Sequence, residues 1–179
     1  MGNNFRSTTV VGIIRGGKAC IASDGQVTFG DSVLKHNAKK VRTLFKGQVL
    51  AGFAGGVADA LALFERMEKK LQEFNGNLEK AAVELARDWR SDKVLRQLDA
   101  VLVVLNRERA FIITGRGDIL EPDDKIVAIG SGSGIALGVA RALVRHTDLD
   151  ARTICEEAIR IASEINIYTN SSISVLELN

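Results

Sequence analysis

The stretch Gln48-Val-Leu-Ala-Gly-Phe-Ala-Gly-Gly56 limits the fold more than any other part of the chain. It has the length of a strand, yet neither of its alternating faces is polar. A strand with two apolar faces must be covered on both sides. At Val57 the period then changes. Ala60, Leu61, Phe64, Met67, Leu71 and Phe74 recur at spacings of three and four, which is one face of a helix. Asn75-Gly76-Asn77 ends that helix. Leu78, Ala81, Ala82, Leu85, Ala86 and Trp89 mark a second amphipathic helix.

The rest of the chain repeats this alternation of strand runs and helix pairs. Thr9 to Arg15 and Lys18 to Asp24 are apolar or β-branched runs joined by Gly16-Gly17, a hairpin signal. Val41 to Phe45 precedes the opening stretch as its hairpin partner. Strands are expected again at Ala100 to Leu105, Ala110 to Thr114 and Ile126 to Ile129. Gly130-Ser-Gly-Ser-Gly134 leads into a small-residue helix reaching His146. Asp150 precedes a last helix, Ala151 to Ile165, and a strand over Ser172 to Leu178 closes the chain. Helices in pairs after runs of antiparallel strands predict a layered α+β fold with sheets inside and helix pairs outside. They disfavour a doubly wound parallel sheet.

The chain is 179 residues long, with no linker or repeat, and reads as one domain. Its 24 basic and 22 acidic residues nearly cancel, so no strong field favours nucleic acid or an anionic membrane. No apolar run approaches the roughly 20 residues that span a bilayer. The leader MGNNFRS lacks the apolar core of a secretory signal. Cys20 and Cys155 sit in apolar contexts and read as buried free thiols of a reducing compartment. A cytoplasmic protein is expected.

Three places carry candidate chemistry. Thr8 and Thr9 stand where the polar leader meets the first strand. Cleavage after Ser7 would give Thr8 a free α-amine, whose pKa near 8 lets it take the hydroxyl proton without a histidine. A plain β-branched strand start is the competing reading. Asp24 ends the second strand, and Lys35 to Arg42 is basic. An inward lysine would need a carboxylate partner, and its field would hold a neighbouring amine neutral. Side chains alternate along an extended chain, so only one of Lys39 and Lys40 can point inward. The glycine loops are third. Gly130 to Gly134 lacks the lysine and spacing of a phosphate loop, and close packing with a serine cap suits it better. Gly52 suggests a close backbone approach, or an N–H aimed at a reacting carbonyl oxygen.

Taken together, several stretches resemble the HslV (ClpQ) family of bacterial proteasome-like peptidases. They are Thr8-Thr9-Val10, Ser23-Asp-Gly-Gln-Val27, Asn37-Ala-Lys-Lys-Val41, Val49-Leu-Ala-Gly-Phe-Ala-Gly55, Ala81-Ala-Val-Glu-Leu-Ala86, Asp88-Trp89-Arg90, Ile113-Thr114-Gly115, Ala128-Ile-Gly-Ser-Gly132 and Tyr168-Thr169-Asn170. The resemblance runs from Thr8 almost to the C-terminus. It implies a four-layer αββα sandwich of the N-terminal-nucleophile hydrolase type, assembled as a homododecamer of two stacked hexameric rings. It implies a partner, the AAA+ unfoldase HslU (ClpY), which spends ATP to feed unfolded protein substrates to the peptidase. By the same resemblance Thr8 is the nucleophile, Asp24 the supporting carboxylate, Lys40 the inward lysine, Gly52 the oxyanion donor and Ser131 the nearby hydroxyl. A monovalent cation, sodium in most relatives, is implied on main-chain oxygens of Ser163, Asn166 and Thr169.

The chain departs from the family at two points. Residues 1–7 form a leader that masks Thr8 until it is removed, leaving residues 8–179 as the peptidase domain. Ser163 and Asn166 stand where many relatives have Gly and Cys. Ser7 keeps open an N-terminal serine in place of Thr8. Two rival readings also remain: a catalytically silent structural or binding subunit of the same fold, and a small-amide hydrolase of the same nucleophile type.

Overall fold

The computed structural model describes residues 8–93, 95 and 100–179; the expected leader, residues 1–7, lies outside them. In chain order the strands and helices are β1 (Thr9–Arg15), β2 (Lys18–Ser23), β3 (Val27–Phe29), β4 (Ser32–Lys35), β5 (Val41–Leu44), β6 (Val49–Gly55), α1 (Val57–Glu73), α2 (Leu78–Ser91), β7 (Ala100–Leu105), β8 (Ala110–Thr114), β9 (Ile119–Leu120), β10 (Ile126–Gly130), α3 (Ser133–His146), α4 (Ala151–Ile165) and β11 (Ser174–Leu178).

Two antiparallel sheets form the middle. One has the order β10-β1-β2-β11 and the other β5-β6-β7-β8-β9, with β3–β4 as a separate small hairpin. The side-chain alternation of the strands assigns the layers. On β1, Val11 and Ile13 pack with Cys155, Ile154 and Ala158 of α4, whereas Val10 faces the other sheet. On β6, Val49, Ala51 and Phe53 pack with Leu63, Met67 and Trp89 of α1 and α2, whereas Leu50 faces Val10 and Ile21. Three apolar layers thus separate four layers of structure in the order αββα. The strand that lacks a polar face lies in the middle because both of its faces are covered.

Most boundaries fall where the sequence pattern places them, and the differences have local causes. β3, β4 and β9 carry no alternating apolar pattern; every residue of β4 is exposed. β11 starts at Ser174 because the Ser172 N–H is held in a turn by the Asn170 side chain. The expected serine cap on α3 is not present. Its N-cap is Gly132, with no capping side chain, and Ser131 is engaged elsewhere. α4 has the expected cap, with the Asp150 side chain accepting from the Thr153 N–H. Among the described residues no helix is long and apolar enough to cross a membrane.

Candidate active site

Thr8 lies just ahead of β1 and is 4 % exposed. Its carbonyl accepts the Ser131 N–H at 2.8 Å and, at a longer 3.4 Å, the Ser131 hydroxyl. β1 runs between β10 and β2, so its first residues meet the ends of both neighbours. Just past the end of β2 comes Asp24, fully buried. Its Oδ1 accepts the Thr9 N–H at 2.8 Å and the Lys40 ammonium at 2.8 Å, and its Oδ2 accepts the Gln26 N–H at 2.9 Å. A carboxylate that receives this many donors is held in one orientation.

Lys40 is 2 % exposed, whereas Lys39 points outward. The two lie in an extended segment just before β5. The Lys40 carbonyl already accepts the Phe53 N–H of β6 at 3.2 Å, so strand-like alternation applies one residue ahead of the strand. Burial pushes the Lys40 pKa below the usual lysine value, and the charge and hydrogen bond of Asp24 oppose that shift. A positive charge at this depth therefore depends on Asp24.

Thr8 and Lys40 line one cavity of about 530 Å³, together with Phe53, Gly55 and Gly56. Phe64 forms part of its apolar wall and meets Phe53 edge to face, while Lys39 and Arg42 reach its rim. The arrangement offers a hydroxyl at residue 8, a fixed ammonium on the same cavity, and an apolar trough in front.

The structure does not place Gly52 at this site, which corrects the expected oxyanion donor. A Cβ on Gly52 would lie 2.8 Å from Val10 and 2.9 Å from Ile21, so this glycine serves the close approach of the two sheets. Peptide groups alternate along a strand. Phe53 turns its N–H toward β5, so Gly52 turns its own toward β7, opposite Val103. Gly55 shares the parity of Phe53 but lies beyond the last β5 pairing, Val41 with Gly52. Its N–H is turned to the cavity side. Gly55 has a φ of 137°, which alanine adopts only with strain, so Gly55→Ala would keep the N–H but turn it from the cavity. The kcat of this variant is expected to fall by about 10²-fold, the usual scale for losing an oxyanion donor. Gly52→Ala is expected to lower Tm through overpacking and to keep most of its kcat. Peptide hydrolysis and thermal melts of both variants check this; loss of kcat in Gly52→Ala at an unchanged Tm would reverse the assignment.

Ser131 is brought to Thr8, and Asp24 to Lys40. Ser163, Asn166 and Thr169 fall at the C-terminal end of α4. There the helix carbonyls carry a partial negative charge, and no basic side chain lies in the last turn. The Ser163 hydroxyl donates to the Arg160 carbonyl, the Asn166 carbonyl accepts the Thr169 N–H, and the Thr169 hydroxyl bonds that of Thr9. With the side-chain oxygens so engaged, neutral carbonyls are the available ligands, a set that fits a hard monovalent cation. Among the described residues no group of three or more His, Cys, Asp or Glu could hold a metal ion.

Three further residues belong to the site. Thr9 is a strand residue, but its fully buried hydroxyl also accepts the Gly132 N–H at 3.1 Å. The Asn170 side chain accepts the Gly25 N–H and donates to the His36 carbonyl, tying the Asp24 turn to the segment that leads to Lys40. Asn166 contributes its side chain as well as its carbonyl. The sequence pointed to Asn166 only for its main-chain oxygen; the roles of the Asn166 and Asn170 side chains could not be read because their partners Ser131 and Gly25 lie far away along the chain.

A family model described as "Proteasome subunit" matches residues 5–178. The protein named "ATP-dependent protease subunit HslV" of Pseudothermotoga lettingae is 58% identical, the match covering 97% of this chain and 99% of that protein. The protein of the same name from Chlorobium luteolum is 57% identical over 97% of this chain and 96% of its own length. The crystal structure of HslV from Trypanosoma brucei superposes with a TM-score of 0.91 at 41% identity, covering 96% of this chain and 99% of that one. Thiobacillus denitrificans BPH, solved in complex with epoxomicin, shares the fold with a TM-score of 0.72 at 19% identity, covering 96% of this chain and 98% of that one.

Proposed function

Since the chain belongs to the proteasome-subunit family and is a threonine-type peptidase of the HslV kind, we propose that Thr8, freed at its amine, is the nucleophile of a chambered, ATP-dependent protease. The observation that carries this reading is the buried Lys40–Asp24 pair, whose lysine lines the same cavity as Thr8. The relatives are named as subunits of an ATP-dependent protease. By analogy this chain stacks as two hexameric rings and receives unfolded substrates from the AAA+ ATPase HslU.

In this mechanism the extended substrate lies in the trough, its scissile carbonyl in front of Thr8. The free α-amine takes the hydroxyl proton as the oxygen attacks. The Lys40 ammonium keeps that amine neutral at working pH, because a second positive charge nearby is disfavoured. Asp24 holds Lys40 charged and in place. The Gly55 N–H meets the negative charge that develops on the carbonyl oxygen. The amine then gives its proton to the leaving nitrogen, and water releases the acyl group by the reverse steps. Ser131 supports Thr8 at its carbonyl.

Main-chain oxygens of Ser163, Asn166 and Thr169 would hold sodium or a similar ion. Its positive charge would steady the carbonyl end of α4 and the loop that carries Thr169 and Asn170.

The test compares substrates. The mature protein alone should cleave a short fluorogenic peptide and spare a stably folded protein, and adding HslU with ATP should release digestion of the folded one. Unaided digestion of the folded substrate would contradict the chambered arrangement.

A further inference from the structure

The Asn166 side chain has a role that its carbonyl does not explain. Every polar atom of its carboxamide is used. Oδ1 accepts the Tyr168 N–H at 3.2 Å, and Nδ2 donates to the Ser131 hydroxyl at 3.0 Å and to the Thr169 hydroxyl at 2.9 Å. Flipping the amide would turn its NH₂ toward the Tyr168 N–H, donor against donor, so the orientation is fixed by its partners.

We infer that Asn166 is a positioning residue of the active site, whose carboxamide sets the direction of the Ser131 hydroxyl at Thr8 and of the Thr169 hydroxyl at Thr9. Because Ser131 Oγ accepts from Asn166, its proton is directed to the Thr8 carbonyl, which also holds the Ser131 N–H. Because Thr169 Oγ1 accepts from Asn166, its proton is available to Thr9 Oγ1, 2.7 Å away. Gly132 makes room for this cluster. A Cβ there would lie 2.3 Å from Thr9 Oγ1 and 2.9 Å from both Asn166 Nδ2 and Thr169 Oγ1. One amide at the end of α4 thus clamps the backbone of Thr8 and the side chain of its neighbour, across sequence separations of 35 to Ser131 and 160 between Thr9 and Thr169. A side chain without two donors at position 166 could not do this.

The inference rests on the reading of Thr8 as nucleophile with Ser131 beside it, and the test separates the two. Asn166→Ala and Asn166→Asp are made in the native chain and in a Ser131→Ala background, each as the assembled protein beginning at Thr8. kcat and KM are measured on a short fluorogenic peptide alongside Tm. The main-chain carbonyl of residue 166 is present in every variant. Asn166→Asp keeps an acceptor for the Tyr168 N–H and puts a charged carboxylate oxygen in place of the two donors, so it also decides the matter if the alanine variant fails to fold.

Both variants should lower kcat about tenfold, the scale of one lost hydrogen bond, with KM unchanged. In the Ser131→Ala background the further loss should be less than about twofold, since groups acting through one another are not additive. Equal losses in both backgrounds would overturn the inference, as would a native kcat in Asn166→Asp or a raised KM at unchanged kcat. A native kcat in Ser131→Ala alone would also overturn it, while leaving the Thr8 reading to be decided by Thr8→Ala.

Discussion

Thr8→Ala, in a chain that begins at residue 8, is expected to slow hydrolysis of a short peptide by at least about 10³-fold and to leave fold and assembly unchanged. Removing a nucleophile that acts as part of a unit removes most of the catalysis, and what remains comes from binding and oxyanion donors. The alanine leaves the main-chain contacts untouched: the Thr8 carbonyl still accepts from Ser131, and the Thr9 N–H still reaches Asp24. Peptide turnover and sedimentation of the variant check this. Near-native turnover in an intact assembly would remove Thr8 from the mechanism and point to another nucleophile.

Lys40→Ala is expected to fail in both activity and stability, and Lys39→Ala in neither. Removing Lys40 leaves the Asp24 carboxylate buried without its cation. Breaking such a pair costs about 3–5 kcal/mol. For a domain of this size that lowers Tm by on the order of 10 °C. Activity falls as well, because the field that keeps the amine neutral is gone. Lys39 is exposed, and a surface substitution there should stay within about 0.5 kcal/mol.

The pH dependence of stability adds a second readout. The Lys40 pKa in the folded chain lies below its unfolded value. Between the two values the unfolded chain binds more protons, so this residue makes stability rise with pH across that window. The rise should disappear in Lys40→Ala. Equal, mild effects of both substitutions on rate and Tm would show that the basic segment is only a solvated face.

The layered fold could be read from the sequence because its cause is local. Apolar residues on both faces of residues 48–56 require cover on both sides, and the change of period at residue 57 supplies one cover. The short hairpin of β3 and β4 escaped the reading because β4 buries nothing and leaves no pattern. Parity allowed only one of Lys39 and Lys40 to face inward and did not say which; the resemblance pointed to Lys40, and the structure buries Lys40 against Asp24. The same parity separates Gly52 from Gly55. Sequence shows two glycines in one strand, and only the pairing of Phe53 with Lys40 tells which N–H turns toward the cavity. The amides of Asn166 and Asn170 were out of reach because their meaning lies in partners more than 30 residues away, at Ser131 and Gly25.

The central claim is that Thr8 acts as its own base through a free amine. With residues 1–7 attached, the Thr8 nitrogen is an amide whose lone pair is delocalised into the preceding carbonyl, and it cannot accept a proton near neutral pH. The most direct measurement compares two purified forms whose N-termini are verified by intact mass, one beginning at Met1 and one at Thr8. Both are assayed on the same short fluorogenic peptide. The Thr8 form should cleave the peptide and the uncleaved Met1 form should be inert. Full activity of a verified Met1 form would contradict the free-amine mechanism.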